Sequence, residues 1–476
     1  MYDVAIIGCG VTGAACAYTL SKYDVSVLVL ERENDVAMGA TRANSAVFHA
    51  GFDPEPGTLM AKLNVRGAEL GRKICQELDV LYKMNGALVL SFGEQDDRTL
   101  RTLMDRGTKN GVRDLGLLDR GQTLRLEPNL SPQVTGALYA PTSAITDPWD
   151  LALAMAETAV LNGADVRLNS GVSSIERGDG GYVLYTSSGR YEARFIVSAA
   201  GVDCVNVHDM ICEHDYDVRP TRGEYFLFDK SEGRMVSSTV FQTPGAKGKG
   251  VLVLPTVHGN LLAGPNAVLS DEPHRVGTTP AGMEEVRAGA LRSVPGLNFG
   301  KVIRTFAGMR ANTDRGDFMI RVAAPGFIEA GGIKSPGLTA APAVAEMVAE
   351  LLGEAGLTLR EKGVFVPRGK KTRIAGMSPE EISRAAAVDP LYARVICRCE
   401  TITEGEIMDA IRSPIPPASV DAMKRRAGTG MGRCQGGFCG PRVLDILSRA
   451  TGRDALDIPK DGAGSYILTG RTKSGR

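Results

Sequence analysis

The sequence predicts an α/β protein in three parts. A parallel-sheet domain opens at the N-terminus, an antiparallel α+β unit is inserted into it, and a small helical module closes the chain. Three observations carry this reading. Residues 3–7 are an apolar run, as in a strand buried on both faces, and lead directly into glycines and a helix-like stretch. Residues 216–310 instead hold alternating stretches such as Glu224 to Phe228 and Gly250 to Leu254. Four of the nine cysteines, Cys397, Cys399, Cys434 and Cys439, crowd together near the C-terminus.

Composition bounds the rest. At roughly 150 residues per domain, 476 residues suggest about three units. Hydrophobic residues make up 43% and charged ones 23%, enough to bury a large core and to exclude a disordered chain. Lys plus Arg equals Asp plus Glu, so no overall electrostatic footprint for nucleic acid exists. No apolar stretch approaches the roughly 20 residues that span a bilayer, and no secretory signal precedes Val4-Ala5-Ile6-Ile7. A cytoplasmic protein is expected. An odd number of irregularly spaced cysteines makes a poor disulfide framework, so most of Cys9, Cys16, Cys75, Cys204 and Cys212 are expected to be inert buried thiols.

The first motif is Gly8-Cys9-Gly10-Val11-Thr12-Gly13, between the 3–7 run and the stretch AACAYTLSK, with a second apolar run, Val25 to Leu30, ending in Glu31. This is a complete βαβ dinucleotide fingerprint, which makes the domain Rossmann-like. Gly8 permits the tight turn, Gly10 lets backbone approach a pyrophosphate, and Gly13 lets helix and strand pack closely. The helix N-terminus offers N–H groups and partial positive charge to that pyrophosphate. Glu31, 18 positions beyond Gly13, suits an adenosine ribose and disfavours a 2′-phosphate.

Three later segments add to it. Gly39-Ala40-Thr41-Arg42-Ala43-Asn44-Ser45 and Val47 to Gly51 are small and polar, suited to wrapping a large cofactor. Phe195 to Gly201 reads as a strand ending at a glycine, and Phe327 to Ala330 leads through Gly331-Gly332-Ile333-Lys334-Ser335-Pro336-Gly337-Leu338-Thr339 into a helical stretch ending at Leu352. In these segments and their order the chain resembles the D-amino-acid-oxidase-like flavoproteins over residues 1–355. The resemblance implies FAD. It adds Thr41, Asn44, Ser45, Val172, Gly201, Gly332, Gly337, Leu338 and Thr339 to Gly8, Gly10, Val11, Thr12, Gly13 and Glu31 as cofactor-binding residues, with backbone contacts from Val172 to the adenine. FAD-binding parts are expected at about 1–81, 143–215 and 311–355. Insertions at about 82–142 and 216–310 are expected to form one antiparallel substrate domain. The basic, Pro- and Gly-bearing stretch 356–390 reads as a linker, 391–455 as the cysteine module and 456–476 as a tail.

In the module, Cys397-x-Cys399 is followed after 34 residues by Cys434-x₄-Cys439. A C-x-C pair argues against zinc knuckles, and four thiolates without histidine suit a [2Fe–2S] cluster. Glycines 428, 430, 432, 436, 437 and 440 let backbone N–H groups turn towards sulfur. Thr403-x-x-Glu406 is a capping box, and Pro441 begins another helix. The quoted stretches CRCETITEGEI and GMGRCQGGFCGPRV resemble the bacterioferritin-associated-ferredoxin-like [2Fe–2S] domain.

A flavin takes two electrons as hydride and a [2Fe–2S] centre passes them singly, so the combination points to a dehydrogenase. NSAVFHAGFD, RGEYFLFDK, LPTVHGNLLAGPNA and FAGMRANTD, with the cysteine module, resemble the A subunits of anaerobic glycerol-3-phosphate dehydrogenases. NSAVFHAG and LAGPNA also resemble L-2-hydroxyglutarate dehydrogenases. An amine or amino-acid dehydrogenase subunit and an electron-relay subunit are further alternatives. The resemblance implies a small anionic substrate, a second flavoprotein subunit, a small cysteine-containing subunit and only indirect membrane contact. Such chemistry needs a base, for which His258 and His49 are candidates. It also needs a cationic anchor, for which Arg310 is the first choice. Lys334 stands by to assist, and Arg42, Arg222 and Arg304 are further cations that could converge on the pocket.

Overall fold

The computed structural model describes residues 1–245, 248 and 250–473. The N-terminal apolar run is the strand Tyr2–Ile7, buried from Val4 onward. It lies between Gly189–Ser198 and Val27–Leu30 and is parallel to both. Asp165–Arg167 and Phe327–Gly331 extend the parallel sheet at its two ends. Met319–Ala324 adds an antiparallel edge beyond Phe327–Gly331. A meander of Val172–Gly178 and Gly181–Thr186 pairs with the first half of the long strand Gly189–Ser198.

The helix Val11–Leu20 packs against Pro148–Leu161 and Gly337–Glu354. It is apolar nearly all round because it is buried nearly all round, and Ala14, Ala15 and Ala17 keep the approach close. The parallel strands end together at Ile7, Leu30 and Ser198. A crevice outside the carboxyl ends of such a sheet is where this architecture binds ligands.

A second, nine-stranded sheet draws strands from both inserted stretches: Ala87–Ser91, Gly116–Asp119 and Gly136–Ala140 from the first, the remainder from 221 to 310. Its neighbours run antiparallel except at the join between the stretches, where Thr239–Gln242 lies parallel to Ala87–Ser91. The sheet is therefore mixed, because its two halves come from separate parts of the chain rather than from one meander. Val302–Arg310 pairs along Thr221–Phe228 and carries Gly308 against the first domain. A side chain there would place a Cβ 1.9 Å from the Ala43 carbonyl oxygen, so glycine is what lets the two sheets meet.

The cysteine module has a short hairpin, Val395–Cys397 and Ile402–Thr403, and the helices Glu404–Ile411, Val420–Ala427 and Gly440–Thr451. Ile407, Met423, Val443 and Leu447 fill its small core. Thr403 and Glu406 form the reciprocal cap of the first helix.

The stretches on either side of this module are structured. Within 356–390 there is a helix, Pro379–Val388. Arg368 is buried, donating to Asp150 at 2.6 Å and to the Leu78 carbonyl at 2.8 Å. Lys371 and Arg373 reach Asp150 and Asp79. A basic run reads as a solvated spacer in sequence, but here carboxylates far away in the chain receive it. Beyond residue 455, Asp461 pairs with Arg42 and Arg425.

Candidate flavin site, substrate pocket and cysteine cluster

A cavity of about 1170 Å³ opens at the carboxyl ends of the parallel strands and runs under the second sheet. Gly8 sits at its floor with φ +97°, and a Cβ there would lie 2.7 Å from the Ala199 carbonyl oxygen. One at Gly13 would lie 2.0 Å from the Gly8 oxygen, so Gly13 brings helix and loop together without lining the cavity. The Thr41 hydroxyl accepts from the Val11 N–H at 2.9 Å, which places the 40–42 turn against the helix N-terminus. The Glu31 carboxylate is buried and accepts from the N–H groups of Cys9 (2.7 Å) and Glu33 (2.9 Å). Burial nevertheless raises its pKa.

Gly10, Val11, Thr12, Asn44, Ser45, Val172, Gly201, Gly337 and Leu338 also border this cavity. Gly332 and Thr339 do not. Gly332, at φ +63°, turns the chain against Thr313, while the Thr339 hydroxyl accepts from the His49 N–H at 2.9 Å. The Asn44 amide is spent on its own loop, donating to the Ala40 and Thr41 carbonyls and accepting from Ala46 N–H. An elongated crevice with glycine-cleared backbone, a helix N-terminus and a buried acid at one end fits a dinucleotide of FAD's size.

His49, Arg310 and Lys334 also border this cavity. His49 is pinned by its backbone: its N–H goes to Thr339, and its carbonyl accepts from the fully buried Asn64 amide at 2.7 Å. Its Nε2 faces the Ser335 hydroxyl at 3.4 Å, and its ring leans on Phe241. Arg310 gives two N–H groups to the Asn266 carbonyl, at 3.3 and 3.2 Å. Asn266 is itself fixed by Glu224, whose N–H it accepts at 2.9 Å and whose carboxylate it donates to at 2.8 Å. Gly223 leaves room for the guanidinium, since a Cβ there would stand 2.8 Å from Nη2. Lys334 is half-buried; burial lowers its pKa against the opposing pull of Asp317. Sequence reasoning passed over Ser335, Tyr225 and Asn266, which border the same space. Ser335 lies within the quoted glycine segment, but nothing in the sequence places it beside His49, 286 residues away.

His258 is not brought to this cavity. It sits on the turn between Leu252–Pro255 and Leu261–Gly264, with Nε2 2.9 Å from the Asp147 carboxylate. Partial burial opposes its charged form, but the bond to Asp147 and that residue's charge prevail, and its pKa is raised. Asp147 in turn caps the helix Pro148–Leu161. The pair therefore joins two domains, and no substrate-facing role follows for it. Of the other cations, Arg42 lines the cavity while Arg222 and Arg304 do not.

The four C-terminal cysteines form two close pairs. Cys399 and Cys434 are exposed, with their sulfurs 3.7 Å apart; Cys397 and Cys439 are buried together. The Cys397 thiol is pulled down to about 6 by the Cys439 thiol and by the N–H groups of Gly430, Glu400 and Cys399, against burial. Cys439 lies at the N-terminus of the helix Gly440–Thr451. Among the described residues, no three His, Cys, Asp or Glu side chains converge on a single point. Paired thiols bathed in N–H groups thus suit two irons with two thiolates each better than one tetrahedral ion.

Residues 3–351 match the family described as FAD dependent oxidoreductase (DAO). The chain belongs to that family. Residues 395–449 match the BFD-like [2Fe-2S] binding domain, so this oxidoreductase carries FAD and a [2Fe–2S] cluster as its cofactors. It is 44% identical to a glycerol 3-phosphate dehydrogenase of Caloramator mitchellensis over 100% of this chain and 99% of that one. A solved structure of L-alpha-glycerophosphate oxidase from Mycoplasma pneumoniae with FAD bound superposes with TM-score 0.74 at 31% identity, covering 78% of this chain and 99% of that one. The human mitochondrial L-2-hydroxyglutarate dehydrogenase is 29% identical over 56% of this chain and 61% of its own. Among the described residues, no helix is long and apolar enough to cross a membrane.

Proposed function

We propose that this oxidoreductase oxidises glycerol 3-phosphate to dihydroxyacetone phosphate and sends the electrons out through its cysteine module to partner subunits. The observation that carries the reading is Arg310, a cation locked by Asn266 and bordering the same cavity as His49 and Ser335. The full-length likeness to a glycerol 3-phosphate dehydrogenase supports it. Arg310 holds the phosphate, to which a guanidinium matches two oxygens at once. His49 takes the proton of the C2 hydroxyl, held in place by Thr339, Asn64 and Ser335. Lys334 adds a second positive group beside the anion. FAD, when bound, supplies the acceptor for the C2 hydride, and the cluster supplies a one-electron outlet. One proton and one hydride leave the substrate, so the carbonyl forms and two electrons are accounted for.

The test is anaerobic mixing with glycerol 3-phosphate and, separately, L-2-hydroxyglutarate, followed at the flavin absorbance. Rapid bleaching by glycerol 3-phosphate, lost on Arg310→Met and slowed roughly 10²-fold or more by His49→Gln, is expected. Bleaching by the hydroxy acid alone would overturn the substrate, and bleaching by neither would overturn the reading.

A further inference from the structure

The turn Ala40–Arg42 closes over the helix N-terminus at the flavin cavity, and its last residue is held from outside the flavin domain. Arg42 Nη1 donates to the Asp461 carboxylate at 2.7 Å. The other carboxylate oxygen accepts from Arg425, on the module helix Val420–Ala427, at 3.0 Å. The Asp461 carbonyl accepts from the Asn34 amide at 2.7 Å. Asn34 follows closely on Glu31, so one residue of the C-terminal segment holds both the stretch just after Glu31 and the cavity-lining turn that ends at Arg42. That segment is itself part of the module's frame, since Val420 and Asp421 donate their N–H groups to the Pro459 and Lys460 carbonyls. Asp461 is also tied at its own N–H by the Ser465 hydroxyl. Burial opposes its charge, yet Arg425 and Arg42 hold its carboxyl below the usual range.

We propose that Asp461 is a positioning residue of the flavin site, through which the folded, cluster-bearing module tightens the hold on FAD. The helix that carries Arg425 runs into Gly428 and then into the glycine loop whose N–H groups face the cysteine sulfurs. Assembly of the module around its cysteines therefore fixes Arg425, Arg425 fixes Asp461, and Asp461 fixes Arg42. By linkage the effect runs both ways: bound FAD favours the assembled module as much as the assembled module favours FAD.

The experiment is FAD titration of flavin-stripped protein in the absence of substrate, read by quenching of FAD fluorescence. Wild type, Asp461→Ala and Arg42→Met are each measured with the iron in place and after its removal by chelation under reducing conditions. Wild type is expected to lose roughly 5- to 20-fold in FAD affinity when the iron is removed. Asp461→Ala should start weaker by a similar factor and then lose little more. Arg42→Met keeps its iron and breaks the bridge from the flavin side, so its ratio of affinities with and without iron should fall towards one. An unchanged affinity in iron-loaded Asp461→Ala would overturn the proposal. So would iron removal that weakens all three proteins by the same factor, because independent effects multiply.

Discussion

The cysteine module meets the rest of the chain across two faces of opposite construction. Towards the flavin domain, Asp35 lies between Arg425 and Arg426 at 2.8 and 2.7 Å, with the carboxylate and both guanidiniums almost wholly withdrawn from solvent. Lys371 adds to this seam, reaching from Asp150 to the Arg426 carbonyl. Towards the second sheet, Arg433 pairs with Asp229 at 3.0 Å while its side chain stays 71% exposed, and Lys230 pairs with Glu400 at 2.7 Å near the surface. The distances are alike but the surroundings are not. A buried charge left without its partner is costly, whereas water replaces a lost surface partner almost completely. The flavin-side seam thus sets where the module sits, and the sheet-side seam only steers it.

Asp35→Ala breaks the first seam most sharply. It leaves the buried Arg426 guanidinium without a carboxylate and Arg425 with Asp461 alone, and is expected to cost about 3–5 kcal/mol of stability, visible in denaturant unfolding and as proteolysis of the module. A loss no larger than that of Arg433→Ala would erase the contrast between the faces. Acid sharpens it next. The guanidiniums outweigh burial at Asp35 and hold its carboxyl down, and Lys371 and Arg368 do the same at Asp150. Groups depressed in the folded state contribute above their unfolded pKa, about 3.9, and lose that contribution as pH falls through the folded value. The flavin-side seam should therefore hold at pH 5 and weaken only below about pH 4, as a stability-versus-pH series on wild type and Asp35→Ala would register.

Arg433→Ala, by contrast, is expected to change stability hardly at all, with any difference vanishing in high salt. Another small effect belongs to His258, which joins the second sheet to the flavin domain through Asp147. Its pKa is raised, so its contribution is complete below the unfolded value of about 6.5 and fades as pH rises through the folded one. With the ring partly exposed, about 0.5 kcal/mol or less is expected. His258→Gln should thus be slightly less stable than wild type at pH 5.5 and equal to it at pH 9. The two kinds of contact then respond to pH in opposite directions.

What could be read before any coordinates follows the same division. The βαβ unit was legible because Gly8 and Gly13 answer to backbone geometry, a positive φ at the first and a close backbone approach at each. The capping box at Thr403 and Glu406 was legible for the same reason. The cysteine pairs announced themselves by spacing. Long-range charge pairing has no such signature. Arg368 and Lys371 read as basic residues of a linker, Arg425 and Arg426 belong to no motif, and nothing near them in the chain points to Asp35, Asp79 or Asp150. His258 shows the converse. Its segment, like that of His49, resembles the flavoprotein family, but the turn carrying it meets Asp147 and does not border the cavity. The parallel join of the second sheet was hidden too, because it unites strands about 150 residues apart.

We propose that one chain both oxidises glycerol 3-phosphate and moves the electrons into its own cluster. Freeze-quenched samples from anaerobic mixing with glycerol 3-phosphate, examined by electron paramagnetic resonance, test it directly. The expected result is the signal of a reduced [2Fe–2S] centre growing in step with, or just after, flavin bleaching. A fully bleached flavin beside a cluster that stays oxidised would contradict it.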